Sequence, residues 1–293
     1  MTQKIGFVGL GIMGKPMAKN LIQADFEVSV FDLNEIAVND LVAQGAKKNT
    51  VGAMAQTVDF IITMLPTMAS IKETFEQHIF KNASNGLVVI NMSSIGPSDA
   101  IALAEKGKKM GVKVLDAPVS GGEPKAIDGT LSIMVGGEEN AFNKSLSVFQ
   151  AIGQDIVLLG SAGSGSVVKL ANQIIVNLNI AAVSEALVLA AKANIDLDKM
   201  YHAIRGGLAG SVVLDAKVPL ILDRNFKPGG AISINLKDLT NVMETAHDLD
   251  VPLPMSSQLL EIFHALKADG KATDDHCGIV QYYEKLANIT VSR

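Results

Sequence analysis

The first half of the chain alternates between short unbroken apolar runs and segments whose apolar residues recur every three or four positions. Residues 4–8, 27–31, 59–65, 86–91 and 112–115 are runs of the first kind. Their length and β-branched content predict strands buried on both faces, as in a parallel sheet. Residues 129–137 and 154–159 add two further candidates. Segments such as residues 15–21 carry the helical period and would cover that sheet. Beyond Gly165 the strand pattern fades. Residues 197–205, 212–220, 234–249 and 256–269 predict helices with glycine and proline at the breaks, and residues 281–286 a terminal turn or short helix.

Between the two patterns lies one long apolar stretch, residues 174–191, close to the ~18 residues that would span a bilayer. Asn177, Asn179, Ser184 and Glu185 interrupt it, and Glu185 would be costly at mid-membrane. We therefore expect no membrane partner. A helix over residues 167–193 would be roughly 40 Å long, more than one small domain covers. Being apolar on nearly every face, it is expected to be covered by a second domain or a second subunit.

Composition narrows the picture. A length of 293 residues suggests about two domains, and 48% hydrophobic against 19% charged residues leaves ample material for their cores. A net charge of −5 with mixed signs and no basic stripe argues against nucleic acid as a partner. Cys277 is the single cysteine, so no intrachain disulfide forms and the chain suits a reducing, cytoplasmic compartment. Residues 5–10 are too short and glycine-broken for a secretory signal. The five histidines show no ligand spacing, and in Asp274-Asp275-His276-Cys277 the groups are adjacent without being convergent, so no metal is expected.

The chemistry begins where the first run ends. Gly9-Leu10-Gly11-Ile12-Met13-Gly14 is a GxGxxG turn between a predicted strand and a predicted helix. Gly9 permits the tight turn, Gly11 lets backbone approach a diphosphate, and Gly14 lets helix and strand pack closely. The second strand ends at Asp32, eighteen positions after Gly14, where a carboxylate accepts hydrogen bonds from a ribose. It would repel a 2′-phosphate, and Leu33 offers no compensating cation. The expected cofactor is therefore NAD, with NADP as the alternative. The fold that follows is α/β: an N-terminal doubly wound Rossmann-type domain with an extended sheet, residues 1–162, then an all-α C-terminal domain, residues 163–293, opening on the long helix.

Ligands of such sheets lie beyond the carboxyl ends of the strands. Leu65 and Pro66 end one strand and are placed to flank the cofactor, with Ser70 and Ser94 as hydrogen-bonding candidates; plain strand-to-helix turns are the alternative for each serine. Ser120-Gly121-Gly122 offers a hydroxyl and bare backbone N–H groups, a cradle for a carboxylate. On the long helix, Lys169, Asn172, Gln173 and Val176 fall at i, i+3, i+4 and i+7 and share one face. A lysine there is a candidate acid–base group, since burial disfavours its charged form. Lys237 lies near the start of a later helix, where it either reaches a cofactor or substrate carboxylate or is solvated.

Taken together, these motifs resemble those of the β-hydroxyacid dehydrogenase family, related to 3-hydroxyisobutyrate dehydrogenase. The resemblance runs from the glycine turn through Asp116-Ala117-Pro118-Val119-Ser120-Gly121-Gly122 and the Lys169 helix to Lys237-Asp238-Leu239. It implies reduction of a short oxo acid by hydride transfer, with Lys169 as the catalytic lysine. Ser120, Gly121 and Gly122 would bind substrate, and Leu65, Pro66, Ser94 and Lys237 would line the cofactor site. Many members carry Asn four residues after the lysine, where this chain has Gln173 with Asn172 one position earlier, so both carboxamides stand as substrate-orienting candidates. The expected partners are a small hydroxy or oxo acid and further copies of the chain in a homo-oligomer, a dimer or tetramer. A non-catalytic dinucleotide-binding protein is the reading from another class, and the presence of Lys169 speaks against it.

Overall fold

The apolar runs of the first half become strands that send alternate side chains into two separate cores. Phe60 and Ile62 join Ile5, Phe7, Val88 and Ile90 on one side of the sheet, while Ile61 joins Val8 and Val89 on the other. Each is almost fully buried, worth about 1.5–3 kcal/mol per large apolar side chain. The computed structural model describes residues 2–293 and divides into two compact units, with the division between Lys169 and Leu170.

Among the described residues, the first unit holds a nine-stranded sheet. Its strands are β1 (Lys4–Val8), β2 (Glu27–Phe31), β3 (Lys47–Lys48), β4 (Phe60–Thr63), β5 (Val88–Asn91), β6 (Lys113–Asp116), β7 (Val119–Ser120), β8 (Leu131–Gly136) and β9 (Gly153–Gly160). Its helices are α1 (Gly14–Gln23), α2 (Glu35–Val42), α3 (Val51–Thr57), α4 (Met68–Glu73), α5 (Pro97–Lys109), α6 (Gly122–Asp128) and α7 (Glu139–Gln150). Six strands run parallel in the order β3-β2-β1-β4-β5-β6. The sheet then reverses: β8 is antiparallel to both β6 and β7, and β9 is parallel to β8. The ten residues between Ser120 and Leu131 are too few for a crossover that would keep β8 parallel. The two-residue strands β3 and β7 carry too little pattern to be foreseen.

The long helix α8 (Ser164–Lys192) begins in the first unit and continues into the second. Its N-terminus is fastened by Asp116 at the end of β6, whose carboxylate accepts N–H bonds from Gly163 and Ser166, both at 2.8 Å. Burial raises the pKa of this carboxyl, opposed by those two N–H donors. At Gly165 a Cβ would lie 2.2 Å from the Met134 carbonyl oxygen. Only glycine lets the helix start so close to β8.

The second unit is helical: α9 (Leu197–Ile204), α10 (Val212–Leu222), α11 (Ile232–Asp248), α12 (Pro254–Ala268) and α13 (Val280–Ala287) follow α8. Side-chain caps set two of the starts. Asp196 accepts from the Lys199 N–H at 3.0 Å, and Ser211 from the Leu214 N–H at 3.0 Å. Ile180 packs against Ile232, Leu236 and Phe263, while Val183 and Leu187 pack against Leu197, Leu214 and Val218. Within the chain α8 is covered on only part of its surface. Asn177, Ile180 and Ser184 are fully buried, yet Ile175 is 67% and Leu189 74% exposed. The other helices of the unit pack on one side of α8 and leave the opposite stripe bare.

Asp275 ties this unit together near its C-terminal end. Its Oδ2 accepts N–H bonds from Gly229 and Gly230, its Oδ1 accepts from Cys277, and Lys217 Nζ pairs with it at 2.8 Å. Burial alone would push its pKa up. His276, Lys217 and the Cys277 N–H outweigh that and hold it at about 2. Burial, followed by the Asp275 charge, pushes the Cys277 thiol up, which makes it a packing group and not a nucleophile.

Candidate active site

The GxGxxG turn closes on itself through backbone. The Gly9 N–H donates to the Phe31 carbonyl at 3.0 Å, and a Cβ on Gly14 would lie 1.9 Å from the Gly9 oxygen. At Gly11, by contrast, a Cβ would meet nothing within 4 Å. The turn is thus tight on its protein side and open on the side a ligand approaches. Helix α1 starts at Gly14 with no side-chain cap; the Lys15 and Met17 N–H groups donate to the Gly11 and Met13 carbonyls and Pro16 has none, so it is the positive end of the helix that suits an anion here. Asp32 sits at the end of β2, next to this turn. Its Oδ2 accepts the Leu10 N–H at 2.5 Å and its Oδ1 the Asn34 N–H at 2.7 Å. Both bonds aim the carboxylate, and Asn34 in turn caps α2 through Ile36 and Ala37. Open turn, uncapped helix start and fixed carboxylate suit the diphosphate and ribose of a dinucleotide.

The ends of β4 and β5 are stitched by three buried polar residues that the sequence patterns did not single out. Thr63 Oγ1 donates to Asn91 Oδ1 at 3.0 Å, which also accepts the Ser93 N–H, and Ser93 Oγ accepts the Leu65 N–H at 2.9 Å. Leu65 is therefore placed by Ser93, one residue before the expected Ser94. Ser94 itself is half-buried and Pro66 exposed. Ser70 is turned to its own helix: its hydroxyl donates to the Thr67 carbonyl at 2.8 Å and accepts from Thr67 Oγ1 at 3.0 Å. That is the strand-to-helix turn expected as its alternative role.

Ser120 pairs with Ser132 at the end of the short β7. Gly121 and Gly122 follow with φ of 137° and 66°, left-handed backbone that turns the chain abruptly into α6 and favours glycine. Both are exposed.

On α8, Lys169 is buried, 9% exposed, on the stripe it shares with Asn172 and Gln173. The two carboxamides differ in their surroundings. Gln173 Nε2 donates to Asp238 Oδ2 at 2.8 Å and to Asn235 Oδ1 at 3.4 Å, while Asn172 Nδ2 donates to Gln173 Oε1 at 3.0 Å. Gln173 is thus clamped onto α11, and Asn172 leans on it. Asp238 is 2% exposed, and Lys237 Nζ lies 3.4 Å from its Oδ1. One turn along α8, Asn177 Nδ2 donates to the Gln173 carbonyl, and His276 Nδ1 meets Asn177 Oδ1 at 3.4 Å. Since the Asn177 oxygen accepts, His276 donates from Nδ1. Asp238 stood in the Lys237-Asp238-Leu239 motif, Asn235 in a helical segment and His276 in the Asp274-Asp275-His276-Cys277 run; no spacing linked them to Gln173.

Comparison with known proteins agrees with both halves. Residues 4–160 match the family model for the NAD binding domain of 6-phosphogluconate dehydrogenase. Residues 163–283 match that for the NAD-binding segment of NADP-dependent 3-hydroxyisobutyrate dehydrogenase. The chain is 39% identical over 288 residues to 2-hydroxy-3-oxopropionate reductase of Escherichia coli K12, covering 97% of this chain and 98% of the relative. It is 37% identical over 294 residues to 2-(hydroxymethyl)glutarate dehydrogenase of Eubacterium barkeri, covering 99% and 97%. The solved structure of Mycobacterium tuberculosis 3-hydroxyisobutyrate dehydrogenase with L-serine superposes with a TM-score of 0.89 at 28% identity, covering 97% and 99%.

Proposed function

The chain belongs to the β-hydroxyacid dehydrogenase family of NAD(P)-dependent oxidoreductases, and on that premise we propose that it reduces 2-hydroxy-3-oxopropionate to glycerate. The observation that carries this reading is the likeness to the Escherichia coli reductase along 97% of the chain, joined to a buried lysine beside two carboxamides on α8. Homo-oligomeric assembly is part of the same reading.

In this proposal the glycine turn of Gly9, Leu10, Gly11, Ile12, Met13 and Gly14 holds the cofactor's diphosphate, and Asp32 accepts the ribose hydroxyls. Leu65, Pro66, Ser94 and Lys237 line its remainder, with Ser70 at the margin. Asp32 favours NAD over NADP, because a carboxylate aimed by two N–H donors repels a 2′-phosphate. The nicotinamide, when bound, supplies the hydride. Lys169 donates a proton to the carbonyl oxygen as charge develops there, and in the reverse direction its neutral amine takes the hydroxyl proton. Such a group contributes ~10²–10⁴-fold. Ser120, Gly121 and Gly122 hold the substrate carboxylate. Of the two carboxamides, Asn172 is the one assigned to the substrate, because it is half-buried whereas Gln173 is buried and donates to Asp238 and Asn235 of α11.

Steady-state kinetics with both nicotinamide cofactors on 2-hydroxy-3-oxopropionate, 3-hydroxyisobutyrate, 2-(hydroxymethyl)glutarate and succinate semialdehyde test the assignment. The highest kcat/KM is expected on the first, with NADH. A preference for 3-hydroxyisobutyrate or another short 3-hydroxy acid would move the assignment to that substrate, and a strong preference for NADPH would reject the role given to Asp32.

A further inference from the structure

Asp116 stands where three pieces of backbone meet. It is the last residue of β6 and pairs with Gly136 at the end of β8. Its two carboxylate oxygens each hold one N–H group at the start of α8: Oδ1 accepts from Gly163 and Oδ2 from Ser166. Glycines bring the pieces into contact. A Cβ on Gly136 would lie 2.6 Å from Asp116 Oδ1. One on Gly165 would lie 2.7 Å from the Asp116 carbonyl oxygen and 3.0 Å from the Gly136 nitrogen. The ends of β6 and β8 and the first turn of α8 therefore pack backbone to backbone, with little room to slide.

Two rigid paths leave this point. One runs four residues along the chain to Ser120 and is pinned at every step. The Ala117 N–H donates to the Asn91 carbonyl at 2.8 Å, the Pro118 carbonyl accepts the Met134 N–H at 3.0 Å, and Val119 and Ser120 pair with Ile133 and Ser132. The other path runs from Ser166 to Lys169, three residues and about 4.5 Å along the helix axis. Both residues are buried, and at that interval they share one face of α8.

We propose that Asp116 is a positioning residue that sets the spacing between Ser120, Gly121 and Gly122 on one side and Lys169 on the other, and with it the length of oxo acid the site reduces best. The inference rests on the substrate-binding and proton-donating roles given above to those groups. A substrate held by its carboxylate offers its carbonyl oxygen to the lysine only where the bonds between the two match that spacing. One carbon separates carboxylate and carbonyl in 2-hydroxy-3-oxopropionate, and two do in succinate semialdehyde. Misplacement by about 1 Å is enough to cost on the order of 10²-fold in rate, and one added carbon is a displacement of that order. Both oxygens of Asp116 are needed. An amide of the same shape keeps one acceptor and turns its own N–H groups toward the second donor, which frees that side of the helix start.

The test compares Asp116→Asn with wild type on the full chain, with NADH and the two aldehydes. The wild type is expected to show the higher kcat/KM on 2-hydroxy-3-oxopropionate. The variant should lose about 10²-fold in kcat on that acid and about tenfold or less on succinate semialdehyde, whose spacing was never matched, so the ratio narrows by about tenfold. NADH affinity, measured by calorimetric titration, should stay unchanged. Amide hydrogen exchange, which reads no turnover, should quicken over residues 163–168 and keep its wild-type rate over residues 4–14. Where the asparagine variant does not fold, Asp116→Ser, uncharged and with a single acceptor, is read in the same way. Equal losses on both acids, or wild-type exchange over residues 163–168, would overturn the proposal. A wild type that prefers the longer acid would move the substrate assignment, and the same loss of discrimination in Asp116→Asn would still uphold the spacing role. A wild type that reduces neither acid would reject the proposed reaction and the spacing role with it.

Discussion

The glycine-turn site of the first unit and the polar clusters of the second are built in opposite ways. In the first, the partners of the candidate cofactor site are close in sequence: Leu10 and Asp32 are 22 residues apart, and Asp32 and Asn34 only two. In the second, Gln173 is clamped by Asp238 at a separation of 65, Lys217 pairs with Asp275 at 58, and His276 reaches Asn177 at 99. A site made by one strand–turn–helix–strand unit leaves a spacing that can be read. A site made by packing helices leaves none, because any residue on the right helical face will serve.

Lys169 gives the largest way to break this comparison, since it belongs to the readable stripe of α8. Lys169→Ala is expected to lower turnover by about 10²–10⁴-fold while cofactor affinity, measured by calorimetric titration, stays unchanged. Unchanged turnover would remove the lysine from the mechanism.

The long-range pair Lys217–Asp275 comes next. Lys217→Ala takes the nearer cation from a buried carboxylate and leaves it only His276 at 4.0 Å, which should cost about 3 kcal/mol in denaturant unfolding. The same carboxyl sets a pH dependence. Its folded pKa of about 2 lies below the unfolded value of about 3.9. Its stabilisation, on the order of 2 kcal/mol, is therefore complete above the unfolded value and disappears as pH falls toward the folded one. Thermal melts between pH 5 and pH 2 should show wild-type protein losing this increment and Asp275→Asn losing none of it. Parallel curves would mean that Asp275 is not ionised against Lys217.

A smaller effect is expected at Asp238. Asp238→Asn weakens a charge-assisted bond to Gln173 and should lower kcat/KM by about tenfold, the worth of one such bond, with the cofactor KM little changed. If Gln173 were free to reorient without loss, the variant would behave as wild type. Asp32→Ala should relax discrimination against NADPH by a similar or smaller factor, about fivefold to tenfold, or roughly 1 kcal/mol. Its measure is the ratio of kcat/KM for the two cofactors. The first unit would prove less local than it looks if that ratio did not move.

Much of the fold was open to reading for the same reason as the first site. Buried parallel strands such as residues 86–91 are unbroken apolar runs, and the helices of the second unit announce themselves by period and by the glycine and proline at their breaks. The reversal at β8 was not open to reading, because strand direction depends on the length and path of the connection and not on the strand's own residues. The role of Ser70 illustrates a subtler limit. Its position after a strand suits a ligand contact, but a threonine three residues earlier competes for its hydroxyl, and sequence does not say which bond forms.

What the sequence determined by itself is what neighbours in the chain enforce: the glycine turn with its strand, helix and Asp32, the two-part organisation, the family, and the stripe that sets Lys169 beside Asn172 and Gln173. Tertiary structure alone decided which carboxamide is held and by what, since Asp238 and Asn235 arrive from another helix. It also decided which face of α8 is left bare. An apolar helix names its need for cover in its composition, but the side left uncovered depends on how many helices of the same chain pack against it. Burial is a property of the packed whole, and periodicity records only the faces available to it.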